Sequence, residues 1–106
     1  MLVLLLLLLL LLLLTSLLQL KHGAKNGRLV WCGHWGVYNS SQAWYSDDGG
    51  DSYTLSKTVF MTQDECTLAE LDDGTVYWNM RNTKLERGYA RSTDGGETFG
   101  KVVHSI

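Results

Sequence analysis

Two octets decide how this chain reads: Ser46-Asp47-Asp48-Gly49-Gly50-Asp51-Ser52-Tyr53 and Ser92-Thr93-Asp94-Gly95-Gly96-Glu97-Thr98-Phe99. Both follow one pattern, Ser-x-Asp-Gly-Gly-x-x-aromatic, and the second begins 46 residues after the first. The pattern describes a self-closed turn. Asp48 and Asp94 can accept hydrogen bonds from nearby backbone N–H groups, as Asx turns do. Gly50 and Gly96 can take positive φ, and Tyr53 and Phe99 can tuck beneath the turn as anchors. A calcium loop is the competing interpretation of such an acidic, Gly-rich stretch. It fails because Asp47 to Asp51 lacks alternating ligands and a Glu at position twelve. A period in the forties, with short strands and Gly-rich turns, is the mark of β-propeller blades.

Strands extend outward from the octets. An Asn26-Gly27 turn leads into Arg28-Leu29-Val30-Trp31-Cys32, and Ser41 to Tyr45 runs into the first octet. Thr67 to Leu71 and Thr75 to Arg81 form a hairpin joined at Asp72-Asp73-Gly74, and Arg87 to Arg91 runs into the second octet. No helix is expected after residue 20. Composition agrees: the residues after Leu20 hold all 11 aromatics and all 11 Gly, and the chain has no Pro. With 9 Lys+Arg against 11 Asp+Glu among 106 residues, the chain is neither a polybasic nucleic-acid binder nor an acidic tail.

The first 20 residues differ in kind. Leu4 to Leu14 is an unbroken Leu run, and only Thr15, Ser16 and Gln19 are polar before Lys21. A signal or signal-anchor, a true span and a low-complexity accident all stay open, because no Lys or Arg precedes the run and no small-x-small site follows it. The first two imply the secretory pathway (lysosomal, secreted or membrane-associated), with membrane association through residues 1–20. The Asn39-Ser40-Ser41 sequon matters only in that compartment. Cys32 and Cys66 could pair there, but two cysteines force nothing, and buried free thiols are the default. The three His lack metal-ligand spacing, so neither a metal nor another cofactor is expected.

Register decides what the hairpin carries. With a three-residue loop and Gly74 left-handed, Leu71 pairs with Thr75 and Glu65 sits directly across from Arg81. Cys66, Leu68, Val76, Trp78 and Met80 then share one face, and Glu65, Thr67, Asn79 and Arg81 the other. A two-residue turn would mix the two sets, so burial selects the first register. On pairing alone, Glu65–Arg81 is an ordinary cross-strand ion pair worth under ~1 kcal/mol.

The octets resemble the Asp-box of sialidases (neuraminidases), with Ser46, Asp48, Gly50 and Tyr53, then Ser92, Asp94, Gly96 and Phe99, as its structural positions. Gln19-Leu20-Lys21-His22-Gly23, Gly27-Arg28-Leu29-Val30, Asp64-Glu65-Cys66, Glu70-Leu71-x-Asp73-Gly74 and Asn79-x-Arg81-Asn82 are similar to that family too. Cys32-Gly33-His34 and Asp64-Glu65-Cys66 look most like the lysosomal branch and its bacterial relatives. The resemblance covers roughly residues 17–106. It implies a six-bladed propeller that removes terminal sialic acid from glycoproteins, glycolipids and oligosaccharides, ganglioside catabolism included, with retention and a Tyr nucleophile. The anomeric carbon of sialic acid bears a carboxylate, so a neutral phenol meets less repulsion than a carboxylate nucleophile would. By position Glu65 would take the phenol proton, and Arg81 would be one of three Arg that clamp the substrate carboxylate.

No match is found for the acid/base Asp, the nucleophile Tyr or the other two Arg. Tyr38, Tyr45, Tyr53, Tyr77 and Tyr89 fit strand or anchor positions instead. The expectation is an all-β chain: a poly-Leu segment over residues 1–20, then about two blades of a six-bladed propeller over residues 21–106. If Leu17 to Leu20 join the sheet, that boundary moves. Such a fragment of an exo-α-sialidase would lack activity alone. The alternatives are a non-catalytic Asp-box module that binds glycans or proteins, and a membrane-tethered β-module.

Overall fold

The computed structural model describes residues 16–35, 40–61, 63–82 and 86–105. They form eight strands: β1 (Ser16–Gln19), β2 (Leu29–Trp35), β3 (Ser40–Ser46), β4 (Thr54–Met61), β5 (Gln63–Glu70), β6 (Val76–Asn82), β7 (Arg87–Ser92) and β8 (Val103–Ser105). Two four-stranded antiparallel sheets result, ordered β1-β2-β3-β4 and β5-β6-β7-β8. Each is a meander of consecutive hairpins, as in a propeller blade.

The anticipated strands all form, β1 answers to the alternative in which Leu17 onward joins the sheet, and β4 and β8 are added. Strand β4 hides in the sequence because its two buried positions, Ser56 and Phe60, do not alternate with polar neighbours in a regular apolar pattern. A three-residue 3₁₀ turn, Gly23–Lys25, interrupts the β1–β2 connection and leaves the all-β class unchanged. Strand β1 pairs with β2, and Leu20 is buried, so the boundary drawn at residue 20 falls inside the first sheet. Residues 1–15, with the whole Leu4–Leu14 run, lie outside the described residues, as does Tyr38. Among the described residues no helix is long and apolar enough to cross a membrane.

Both octets close in the same way. The Ser46 hydroxyl donates to Asp48 Oδ1 at 2.7 Å and accepts from the N–H of Gly50 at 2.9 Å. Ser92 repeats both contacts with Asp94 and Gly96 at 2.7 and 2.9 Å. Asp48 then accepts from the backbone and hydroxyl of Ser52, and Asp94 from those of Thr98. Gly50 and Gly96 take φ of +99° and +94°, as expected. The aromatic anchors diverge. Phe99 is buried, whereas Tyr53 is half exposed and meets Trp31 edge-on, with centroids 5.1 Å apart. Phe99 lies in the space between the two sheets, against Phe60 and Trp78, whereas Tyr53 lies outside it.

That space is the core. Leu20, Val30, Cys32, Ala43 and Phe60 of the first sheet face Val76, Trp78, Met80 and Ala90 of the second. Trp78 packs edge-to-face on Phe60 (5.0 Å) and Phe99 (4.7 Å). The default of free thiols is overturned: Cys32 on β2 and Cys66 on β5 are disulfide-bonded, with Cα atoms 6.3 Å apart. The two core faces bring these side chains together although they lie 34 residues apart in sequence.

Polar groups tie the sheets together as well. Arg28 is 3% exposed and forks onto Asp47 at 2.8 and 2.9 Å, joining the first octet. Its third nitrogen reaches Glu97 at 3.2 Å and the Gly95 carbonyl at 3.3 Å, joining the second. The guanidinium also lies 4.1 Å from the Tyr45 ring centroid. Burial disfavours the Arg28 charge, but the hydrogen bonds and charges of Asp47 and Glu97 outweigh it and raise its pKa. Glu70 completes the seam by accepting from the N–H groups of Lys21 (2.8 Å) and His22 (3.2 Å).

Candidate functional site

The β5–β6 hairpin adopts the expected register. Leu71 N–H donates to the Thr75 carbonyl at 2.8 Å, Gly74 takes φ of +87°, and Thr75 N–H is capped by Asp73 at 3.0 Å. That cap lowers the Asp73 pKa, because the donors favour the carboxylate form. From the turn outward Glu70 pairs with Val76, Leu68 with Trp78 and Cys66 with Met80. Alternation then sends Val76, Trp78 and Met80 inward, while Glu65, Thr67 and Arg81 are exposed.

The ladder shifts beyond Cys66. Gln63 pairs with Asn82, so β5 takes three steps where β6 takes two, and a β-bulge places Asp64 and Glu65 together opposite Arg81. Glu65 therefore does not sit directly across from Arg81, as a regular ladder would require. The two side chains still meet, with Glu65 Oε2 3.7 Å from a terminal nitrogen of Arg81. They are 61% and 49% exposed, so the contact contributes little to stability. A guanidinium has five N–H donors in a planar fork, and Arg81 keeps about half of its side chain exposed.

The rest of this face comes from β7. Arg87 stands cross-strand from Arg81 and donates to Asn79 Oδ1 at 3.2 Å. Tyr77 and Tyr89 stack behind them, centroids 5.5 Å apart. Two guanidinium groups side by side, one carboxylate and an aromatic floor suit an anionic ligand with an apolar edge. The octets lie at the opposite end of their strands from Glu65 and Arg81, and serve the scaffold rather than this cluster.

Sequence reasoning missed three contributors. Ser52 and Thr98 close the octets, and the hydroxyl shared at the seventh octet position was the available signal. Arg28 gave no signal as a bridge, because its partners lie 19 and 69 residues away in sequence.

No family profile matches the sequence. The chain is 35% identical over 93 residues to a sialidase of Micromonospora viridifaciens, covering 81% of this chain and 14% of that protein. It superposes on the intramolecular trans-sialidase of Ruminococcus gnavus, solved with oseltamivir carboxylate, with a TM-score of 0.75 and 26% identity, over 85% of this chain and 19% of that one. The leech intramolecular trans-sialidase, solved with 2,7-anhydro-Neu5Ac, gives a TM-score of 0.73 at 26% identity, over 83% and 13% of the two chains. The chain thus spans a small part of the length of the proteins it matches. Over that part, as two successive blades of the propeller, it belongs to the sialidase family.

Proposed function

We propose that this chain carries part of the catalytic centre of an exo-α-sialidase acting on terminal sialic acid of glycoproteins, glycolipids and oligosaccharides. Glu65 is the base that takes the proton of a Tyr nucleophile, and Arg81 grips the substrate carboxylate. The Tyr, the acid/base Asp and two further Arg are supplied by other blades, and the 106 residues alone do not turn over substrate. The observation that carries this reading is the meeting of Glu65 and Arg81 at 3.7 Å on one exposed face, beside a β-bulge. The base and the anion clamp must converge within one substrate length, and bulges often re-aim side chains beside active sites. We further assign the chain to the secretory pathway; the Cys32–Cys66 disulfide supports an oxidising compartment.

The test is a chimera in which residues 16–106 replace the corresponding stretch of the Micromonospora sialidase. The chimera should hydrolyse a fluorogenic sialoside. Glu65→Gln should lower kcat by roughly 10²–10⁴, the usual worth of a general base. Arg81→Ala should lower kcat/KM by ~10–150-fold, the worth of a charge-assisted hydrogen bond. An active chimera indifferent to both substitutions would refute the assignment.

A further inference from the structure

In a regular ladder each residue of β5 would be fixed by a partner on β6. Here the paired positions run from Cys66–Met80 directly to Gln63–Asn82, so neither Asp64 nor Glu65 has a one-to-one partner. The contact with Arg81 does not fix Glu65 either: at 3.7 Å between two exposed side chains it is a weak restraint. A catalytic group nevertheless has to be held within about 0.5 Å of its working position.

The two flanks of the bulge are anchored unequally. Gln63 is 3% exposed, but its side-chain oxygen has no hydrogen-bond partner among the described residues. That oxygen packs over β7, where a Cβ on Gly88 would come within 3.1 Å of it. Cys66 is the other flank, and it is covalently bound to Cys32. Cys32 is fully buried and lies in a strand paired along both edges, with Ser16 and Ala43 opposite it. The bond thus ties the bulge to the interior of the other sheet rather than to another part of its own hairpin. Consecutive Cα atoms are ~3.8 Å apart, so Glu65 sits one peptide from that anchor. With Cys66 drawn into the core, alternation turns its neighbour to the outer face, and Glu65 is exposed there.

We propose that the Cys32–Cys66 bond is a positioning device for catalysis: it holds the β5 bulge so that the Glu65 carboxylate stays at the outer face beside Arg81. The inference rests on the role given to Glu65 above. Cys32 and Cys66 touch no reacting atom and act through Glu65. Opening the bond frees Asp64 and Glu65 to leave this place, while β6 and β7, paired from Val76–Ser92 to Arg81–Arg87, keep Arg81 where it is. The signature is a loss in proton transfer with the grip on the substrate carboxylate retained, so kcat falls and KM does not.

Two measurements test it. In the full chain, ¹⁵N relaxation should give backbone order parameters of about 0.85 at Asp64 and Glu65 in wild type and below ~0.6 in Cys32→Ala, with Val76 to Met80 unchanged. Wild type with the bond reduced, which changes no residue, is the second sample where Cys32→Ala does not fold. In the chimera with the Micromonospora sialidase, Cys32→Ala should lower kcat by ~10–100-fold and leave KM within about twofold, the scale of an ångström misplacement of a catalytic group. In the Glu65→Gln chimera the same substitution should change kcat by less than about twofold, because the group it positions is already gone. Unchanged order at Glu65 in a folded Cys32→Ala chain, unchanged kcat in the chimera, or an equal loss with and without the Glu65 carboxylate would each overturn the proposal. Indifference of the chimera to Glu65→Gln would refute the role given to Glu65 and the catalytic half of the proposal with it, and the relaxation data would still decide whether the bond holds the bulge.

Discussion

Replacing Arg28 with Met should loosen the seam between the sheets while leaving each sheet able to form. Met keeps much of the aliphatic stem over Tyr45 and removes the fork. Four interactions are lost: the bidentate grip on Asp47, the Glu97 contact, the hydrogen bond to the Gly95 carbonyl and the cation–π contact with Tyr45. A fully buried pair broken on one side costs about 3–5 kcal/mol. Here Asp47 is 60% and Glu97 35% exposed, so both carboxylates regain water and the cost falls. The net loss should be about 2–3 kcal/mol, which lowers Tm by roughly 10–20 °C in a domain of this size. Thermal unfolding followed by circular dichroism, with the disulfide intact, measures it. Arg28→Lys keeps the charge but not the planar fork and should lose about half as much. A Tm within about 3 °C of wild type for Arg28→Met would refute the assignment of Arg28 as the bridge between the octets.

Three further outcomes follow from other parts of the fold. Reducing Cys32–Cys66 should destabilise the chain by about 3–4 kcal/mol on the chain-entropy estimate for a 34-residue separation, read as a shift in the urea midpoint with and without reductant. The hydroxyl and backbone donors of Ser52, with the Ser46 hydroxyl, hold Asp48 at about 2, below its ordinary value of 3.8. Its contribution is thus fully present above pH ~4 and lost as pH falls toward ~2, so Asp48→Asn should flatten the acid limb of the stability–pH curve in that window. At Gly96 a Cβ would lie 3.1 Å from Val30 at φ +94°, whereas at Gly49, φ +74°, it would meet nothing within 4 Å. Gly96→Ala should therefore cost more than Gly49→Ala, by ~1 kcal/mol or more in chemical denaturation, and equal costs would argue against a packed second octet.

Local chemistry was legible in the sequence; contacts between distant segments were not. The octets and the Asp72-Asp73-Gly74 turn could be read because each closes within a few residues, through Asp, Ser and Gly groups whose geometry is intrinsic. The β5–β6 register could be read because one face is apolar and a slip would expose it. The bulge at Asp64–Glu65 could not, since alternation carries no mark of an inserted residue. Nor could the disulfide, which depends on the distance between two sheets rather than on spacing in the chain. Tyr53 and Phe99 hold the same octet position, yet among the described residues Phe99 is buried between the two sheets and Tyr53 is half exposed, so their fates differ through tertiary context.

The bond between Cys32 and Cys66 also determines what a protease can release. It brackets β3, the first octet and β4, so a cut at the exposed Asp47–Gly49 tip would leave two polypeptides still covalently joined. They would run as one band without reductant and as two with it. A cut near Thr93 in the second octet lies outside the bracket, and the segment carrying β8 would then be held by noncovalent ties alone: strand pairing with β7, the Phe99 anchor, and the contacts of Glu97 with Arg28 and the Lys57 N–H. Limited digestion thus sorts cleavage sites into silent and disruptive classes by their position relative to a single covalent loop.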